Sequence, residues 1–100
     1  MLIVLGKSIF RRPIDDSTRT RLAELAGAVR ERHAGNIDYR FSVDTEDPRV
    51  LRLTERWDRL ESFASHGKTP EVAAIVEIVN PRDTESTEVR RYEASGEVTH

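Results

Sequence analysis

An α+β domain built in the order β-α-β-β-α-β is the fold class this sequence predicts, and three observations carry that expectation. Apolar spacing switches from strand-like runs to helical stripes and back along the chain. Turn and capping residues stand at the switches, at Arg11-Arg12-Pro13, Gly35, Asp47-Pro48, Gly67 and Asn80-Pro81. With 100 residues there is room for one domain, expected over 1–95 with a loose tail over 96–100.

The first element, Leu2 to Phe10, is rich in branched apolar residues and starts without alternation, as in a strand covered on both faces. Asp15, Asp16 and Ser17 then offer capping oxygens and negative charge for a helix N-terminus. Leu22, Leu25, Ala26, Val29 and His33 recur at helical spacing, and Gly35 is a natural stop. Ile37, Tyr39, Phe41 and Val43 alternate with polar residues, which predicts a half-buried strand. After the turn at 45–48, Leu51, Leu53, Glu55 and Trp57 share one face of a third strand. Arg52, Thr54 and Arg56 take the other, and the two strands form a hairpin. Leu60, Phe63 and Ala64 mark a short helix ending at His66-Gly67. Thr69-Pro70 restarts a helix with a hydroxyl cap and proline in its first turn, and Val72, Ala73, Val76 and Val79 form its inner stripe. Residues 82–85 read as a polar connection and 87–94 as the last strand. This is the split βαβ pattern of a ferredoxin-like fold, an antiparallel four-stranded sheet with helices on one face.

Composition narrows the function. Sixteen basic and eighteen acidic residues are interspersed, with a net charge of −2. No basic stripe offers itself to phosphates, so nucleic acid is not an expected partner. Cysteine is absent, which removes disulfides and thiolate chemistry. No histidine and carboxylate pair has metal-ligand spacing, so no metal is expected. The apolar run at Leu2-Ile3-Val4-Leu5 is too short for a signal core or a membrane span. The expectation is therefore a cytoplasmic protein with no membrane partner.

The run Glu55-Arg56-Trp57-Asp58, then Leu60-Glu61-Ser62-Phe63-Ala64-Ser65-His66 and Thr69-Pro70, is similar to the signature of antibiotic biosynthesis monooxygenase domains. That family shows Glu-x-Trp at a strand end, a histidine nine residues later and Ser/Thr-Pro soon after; Trp57 and His66 keep the spacing. Gly35 to Tyr39 and Val89-Arg90-Arg91-Tyr92 resemble its flanks. Glu71 stands where a second histidine often follows the proline. The resemblance implies a dimeric α/β barrel, a homodimer with a small cavity in each subunit. It also implies a cofactor-free monooxygenase that oxidises a small aromatic quinol or phenol with dioxygen. Haem-degrading relatives use a different constellation, which is absent here.

Such chemistry needs a base to deprotonate the substrate and a dry pocket in which its anion meets dioxygen. His66 is the candidate acid/base, with Glu55 as a second catalytic carboxyl whose burial would raise its pKa. Trp57, Tyr39 and Phe63 are the expected substrate-binding residues, since aromatic walls suit a planar ligand. Each has a plainer role open to it. His66 could bond helix-end carbonyls, Trp57 could be core, Glu55 could pair with an arginine, and Tyr39 could simply pack. His33 reads as a helix-end residue and His100 as a tail residue. The competing expectation is a non-catalytic barrel that binds a small ligand or serves in stress response. An oxygen-independent isomerase is a third.

Overall fold

The elements run β1 (Leu2–Phe10), α1 (Asp16–Arg32), β2 (Asn36–Val43), β3 (Val50–Trp57), α2 (Leu60–His66), α3 (Pro70–Ile78) and β4 (Thr84–Glu93), in a computed structural model that describes residues 1–99. His100, expected as a tail residue, lies outside the described residues. The strands form one sheet in the order β2-β3-β1-β4, and every neighbouring pair is antiparallel. This is the ferredoxin-like arrangement, with the second helical segment broken at Gly67.

Local chemistry explains the element ends. The Asp15 carboxylate accepts from the Thr18 backbone N–H at 2.8 Å. That bond and the Thr18 and Ser17 hydroxyls hold its carboxyl below the usual range. From this cap α1 lays Leu22, Leu25, Ala26 and Val29 on the sheet. Gly35 takes φ +84°, where a side chain would press on Ser62 and Asp58, so the exit from α1 needs glycine. At α3 the Thr69 hydroxyl bonds the His66 carbonyl at 2.7 Å, and Pro70 occupies the first turn.

Leu2, Val4, Tyr39 and Trp57 from the sheet pack with Leu25, Ala26 and Val29 of α1 and Ile75 of α3. A second cluster of Phe10, Ile14, Leu22 and Leu51 closes the other end. Between them β1 carries Gly6 and Ser8 on the helix side. With no side chain at Gly6 and only valines and an isoleucine opposite on α3, the layers do not fill the space between them. A cavity results.

Three expectations need correction. The inner stripe of α3 follows Val72, Ile75 and Val79 at helical steps, so Ile75 is buried while Ala73 and Val76 face outward. β1 is covered on one face only: Leu5 is 44% exposed, because it belongs to the open face with Thr54 and Arg90, its partners on β3 and β4. The last strand begins at Thr84, not after a connection through 85. Thr84 pairs with Phe10 across an irregularity after Ile9, and its hydroxyl bonds the Asn80 carbonyl at 2.9 Å. Past Thr84, β4 is exposed along its length, with Val89 57% and Tyr92 47% exposed on opposite faces.

Candidate active site

The cavity between the sheet and α2–α3 measures about 270 Å³ and is bounded by Tyr39, Glu55, Phe63 and His66, with Leu53 and Val72 among its apolar walls. An apolar space of about 150 Å³ already takes a benzene ring, so this one suits one or two fused rings. A wider groove of about 600 Å³ lies between α1 and β2. It has arginines and Asp44 on its rim but no buried acid–base pair, so the smaller cavity is the chemical candidate.

Strand parity brings Tyr39 and Glu55 to the cavity as direct partners across β2 and β3. His66, the last residue of α2, reaches over them: its ring lies 5.2 Å from that of Tyr39 and 4.7 Å from that of Trp57, centre to centre. His66 and Glu55 are both buried, and His66 Nε2 stands 3.9 Å from Glu55 Oε1. A hydroxyl oxygen about 2.9 Å from each atom would fit that separation.

Trp57 does not border the cavity. It is fully buried, one row behind Glu55, and its Nε1–H donates to Glu55 Oε1 at 2.9 Å. Its place is therefore behind the wall, where it orients the carboxyl. The arginine partner considered for Glu55 is replaced by this indole. Nor does the His66 ring cap helix-end carbonyls; its Nδ1 faces Nδ1 of His33 at 2.7 Å.

Burial sets the charges. Desolvation pushes the Glu55 carboxyl up to about 7, with the Trp57 N–H pulling the other way. Desolvation also lowers His66 to about 4, aided by His33 and opposed by Glu71. The Tyr39 phenol is raised by burial and by the nearby Glu55. At neutral pH the site thus holds an uncharged imidazole beside a carboxyl that is about half protonated.

The geometry on its own describes a largely apolar pocket with a base and an acid at one end. A family model for antibiotic biosynthesis monooxygenases matches residues 1–78 of the chain. The chain belongs to the antibiotic biosynthesis monooxygenase family. Solved structures agree in fold. One described as an antibiotic biosynthesis monooxygenase shares 21% identity with a TM-score of 0.82, over 96% of this chain and 100% of that one. A Deinococcus radiodurans protein provisionally described in the same way shares 23%, at TM-score 0.77 and coverage of 100% and 98%. Rv0793 from Mycobacterium tuberculosis shares 14%, at TM-score 0.75 and coverage of 99% and 100%. A search among curated proteins found no match.

Two residues of the candidate site carry other readings in the sequence, His33 as a helix end and Glu71 as the replacement of a second histidine. His33, at the C-cap of α1, binds His66 through Nδ1, and its Nε2 lies 3.2 Å from Glu71 Oε1. That bond is the main reason the Glu71 carboxyl is held below its ordinary value. The available signal was His33's place on the apolar stripe of α1, because a polar side chain on an inward face requires a partner. Among the described residues no helix is long and apolar enough to cross a membrane.

Proposed function

We propose that the protein is a cofactor-independent monooxygenase acting on a phenol or quinol of one or two rings. The observation that carries this reading is the pairing of uncharged His66 with Glu55 at the closed end of an apolar cavity. His66 Nε2 takes the phenolic proton, and the anion passes electrons to dioxygen and forms a peroxide at a ring carbon that bears hydrogen, para to the oxygen in a phenol and ortho in a quinol. Protonated Glu55 supports departure of the outer oxygen. The ring carbon gains one oxygen atom and loses its hydrogen. The other oxygen leaves as water with that hydrogen and the phenolic proton. The substrate supplies all four electrons, so a phenol and dioxygen give a quinone and water. Phe63 and Tyr39 bound the ring, and Trp57 holds Glu55 in place.

Oxygen uptake with a panel of one- and two-ring phenols and quinols, followed by product analysis under ¹⁸O₂, tests the reading. One labelled atom per product is expected, and His66→Ala should fall to the autoxidation background. Activity needs neutral His66 and protonated Glu55. It should therefore fall as pH drops through about 4 and as it rises through about 7. Ligand binding without turnover across the panel would instead favour a binding protein.

The same reading includes a homodimer joined through the open sheet face, as the likeness to a family of dimers implies. Exposed Leu5 and Tyr92 on that face, and a last strand bare on both sides, support it for so small a domain. Sedimentation should give twice the 11.4 kDa chain mass; a monomer at micromolar concentration would refute the pairing.

A further inference from the structure

Among the described residues His66 alone borders both the inner cavity and a separate outer cleft of about 360 Å³, which His33, Arg32, Ser65 and Thr69 help to line. The two imidazoles meet Nδ1 to Nδ1 at 2.7 Å, so one nitrogen donates and the other accepts. Beyond them Glu71 receives His33 Nε2 at 3.2 Å, with 6% of the His33 side chain and 15% of the Glu71 side chain exposed. A row of nitrogen and oxygen atoms thus runs from the cavity to the outside: His66 Nε2, His66 Nδ1, His33 Nδ1, His33 Nε2, Glu71 Oε1.

We propose that His33 and Glu71 form a proton relay that carries the proton taken by His66 out of the cavity and returns it later in the cycle. The relay rests on the reading of His66 as the base. In the resting state His33 Nε2–H donates to the Glu71 carboxylate, and His66 Nδ1–H donates to bare His33 Nδ1. His66 Nε2 is then bare and faces the substrate. When an N–H bond forms at His66 Nε2, the N–H bond at its Nδ1 breaks and a new one forms at His33 Nδ1. His66 ends neutral, and the positive charge sits on His33 against the Glu71 carboxylate. Reversal of the same transfers gives the proton back for water release.

The groups facing His66 favour this direction. α1 presents His33 and α3 presents Glu71, while Tyr39 of β2 and Glu55 of β3 lie on the cavity side. A cation held on His66 would stand in the driest part of the site, where burial already opposes it. One ring further out, it meets a carboxylate at hydrogen-bond distance and the edge of the solvent. His33 and Glu71 are positioning residues, since neither borders the inner cavity.

Nitrogen NMR of the ligand-free ¹⁵N-labelled protein reads the resting state directly. Expected are a through-bond coupling between the two Nδ1 nuclei, a protonated Nε2 on His33 and a bare Nε2 on His66. Absence of the coupling, or a proton on His66 Nε2, overturns the relay. With 1-naphthol and dioxygen as the probe reaction, His33→Gln keeps polar bonding but cannot pass a proton on. Its kcat should fall by about tenfold or more with KM nearly unchanged, and Glu71→Gln should lower kcat in the same sense. His33→Ala should regain turnover on addition of imidazole, which the outer cleft can admit. A His33→Gln protein at the wild-type rate overturns the relay while leaving His66 as the base. A His66→Ala protein at the wild-type rate overturns both.

Discussion

Trp57→Ala is expected to cost about 3–5 kcal/mol of folding stability, a large share of the roughly 5–15 kcal/mol available to a domain of this size. Trp57 is fully buried in the main core cluster with Leu2, Val4 and Val29, and Phe63 meets its ring edge-on with centres 6.2 Å apart. Truncation removes those contacts and also takes from Glu55 its only side-chain donor among the described residues. Trp57→Phe keeps one ring of the packing and loses the N–H together with the second ring. A loss of about 1–3 kcal/mol is expected for that change. Urea midpoints followed by far-ultraviolet circular dichroism measure both, since the chain has no other tryptophan to report by fluorescence. Equal losses for the two variants would show that the N–H and the second ring, and not the ring that phenylalanine keeps, dominate.

Glu55→Gln should stabilise the protein at alkaline pH and leave it unchanged near pH 4.5. In the folded chain the carboxyl is raised from 4.5 to about 7, so its proton stabilises the fold fully below 4.5. That contribution is lost as pH rises towards 7. The difference corresponds to about 3 kcal/mol in order of magnitude. Glutamine resembles the protonated acid and can still accept from Trp57, so it escapes the loss. His66 acts in the opposite sense. Lowered from 6.5 to about 4, it contributes stability that is present above 6.5 and lost as pH falls through 4. Between about 4.5 and 6.5 the two slopes oppose each other, and wild-type stability should be nearly flat there. The variant, with only the histidine slope, should gain stability over that interval and exceed wild type by pH 8. Thermal midpoints at pH 4.5 and 8 check this; a variant less stable than wild type at pH 8 would mean that the carboxylate has a stabilising partner.

The expected pocket residues were legible where periodicity governs direction. Alternation places Tyr39 and Glu55 on the covered face, and helical spacing points Phe63 and His66 back at them. Trp57 shares the parity of Glu55 yet lies behind the wall, because parity names a face but not the row at which the layers separate. The separation depends on Gly6 and on the valines of α3, whose volumes matter only once the layers are stacked. His33 and Glu71 were out of reach for a different reason. They stand 33 and 5 positions from His66, on three elements whose ends converge only through the crossings over the sheet.

The bond between Trp57 Nε1 and Glu55 Oε1 makes the molecule its own optical pH probe. The sole indole lies 2.9 Å from a carboxyl that changes charge near pH 7, and it is shielded from solvent by full burial. Its emission should therefore shift with an inflection at that pH, well separated from any caused by His66 near 4. The inflection should vanish in Glu55→Gln and move when an aromatic guest enters the cavity, so binding can be followed without a label and before any turnover is known.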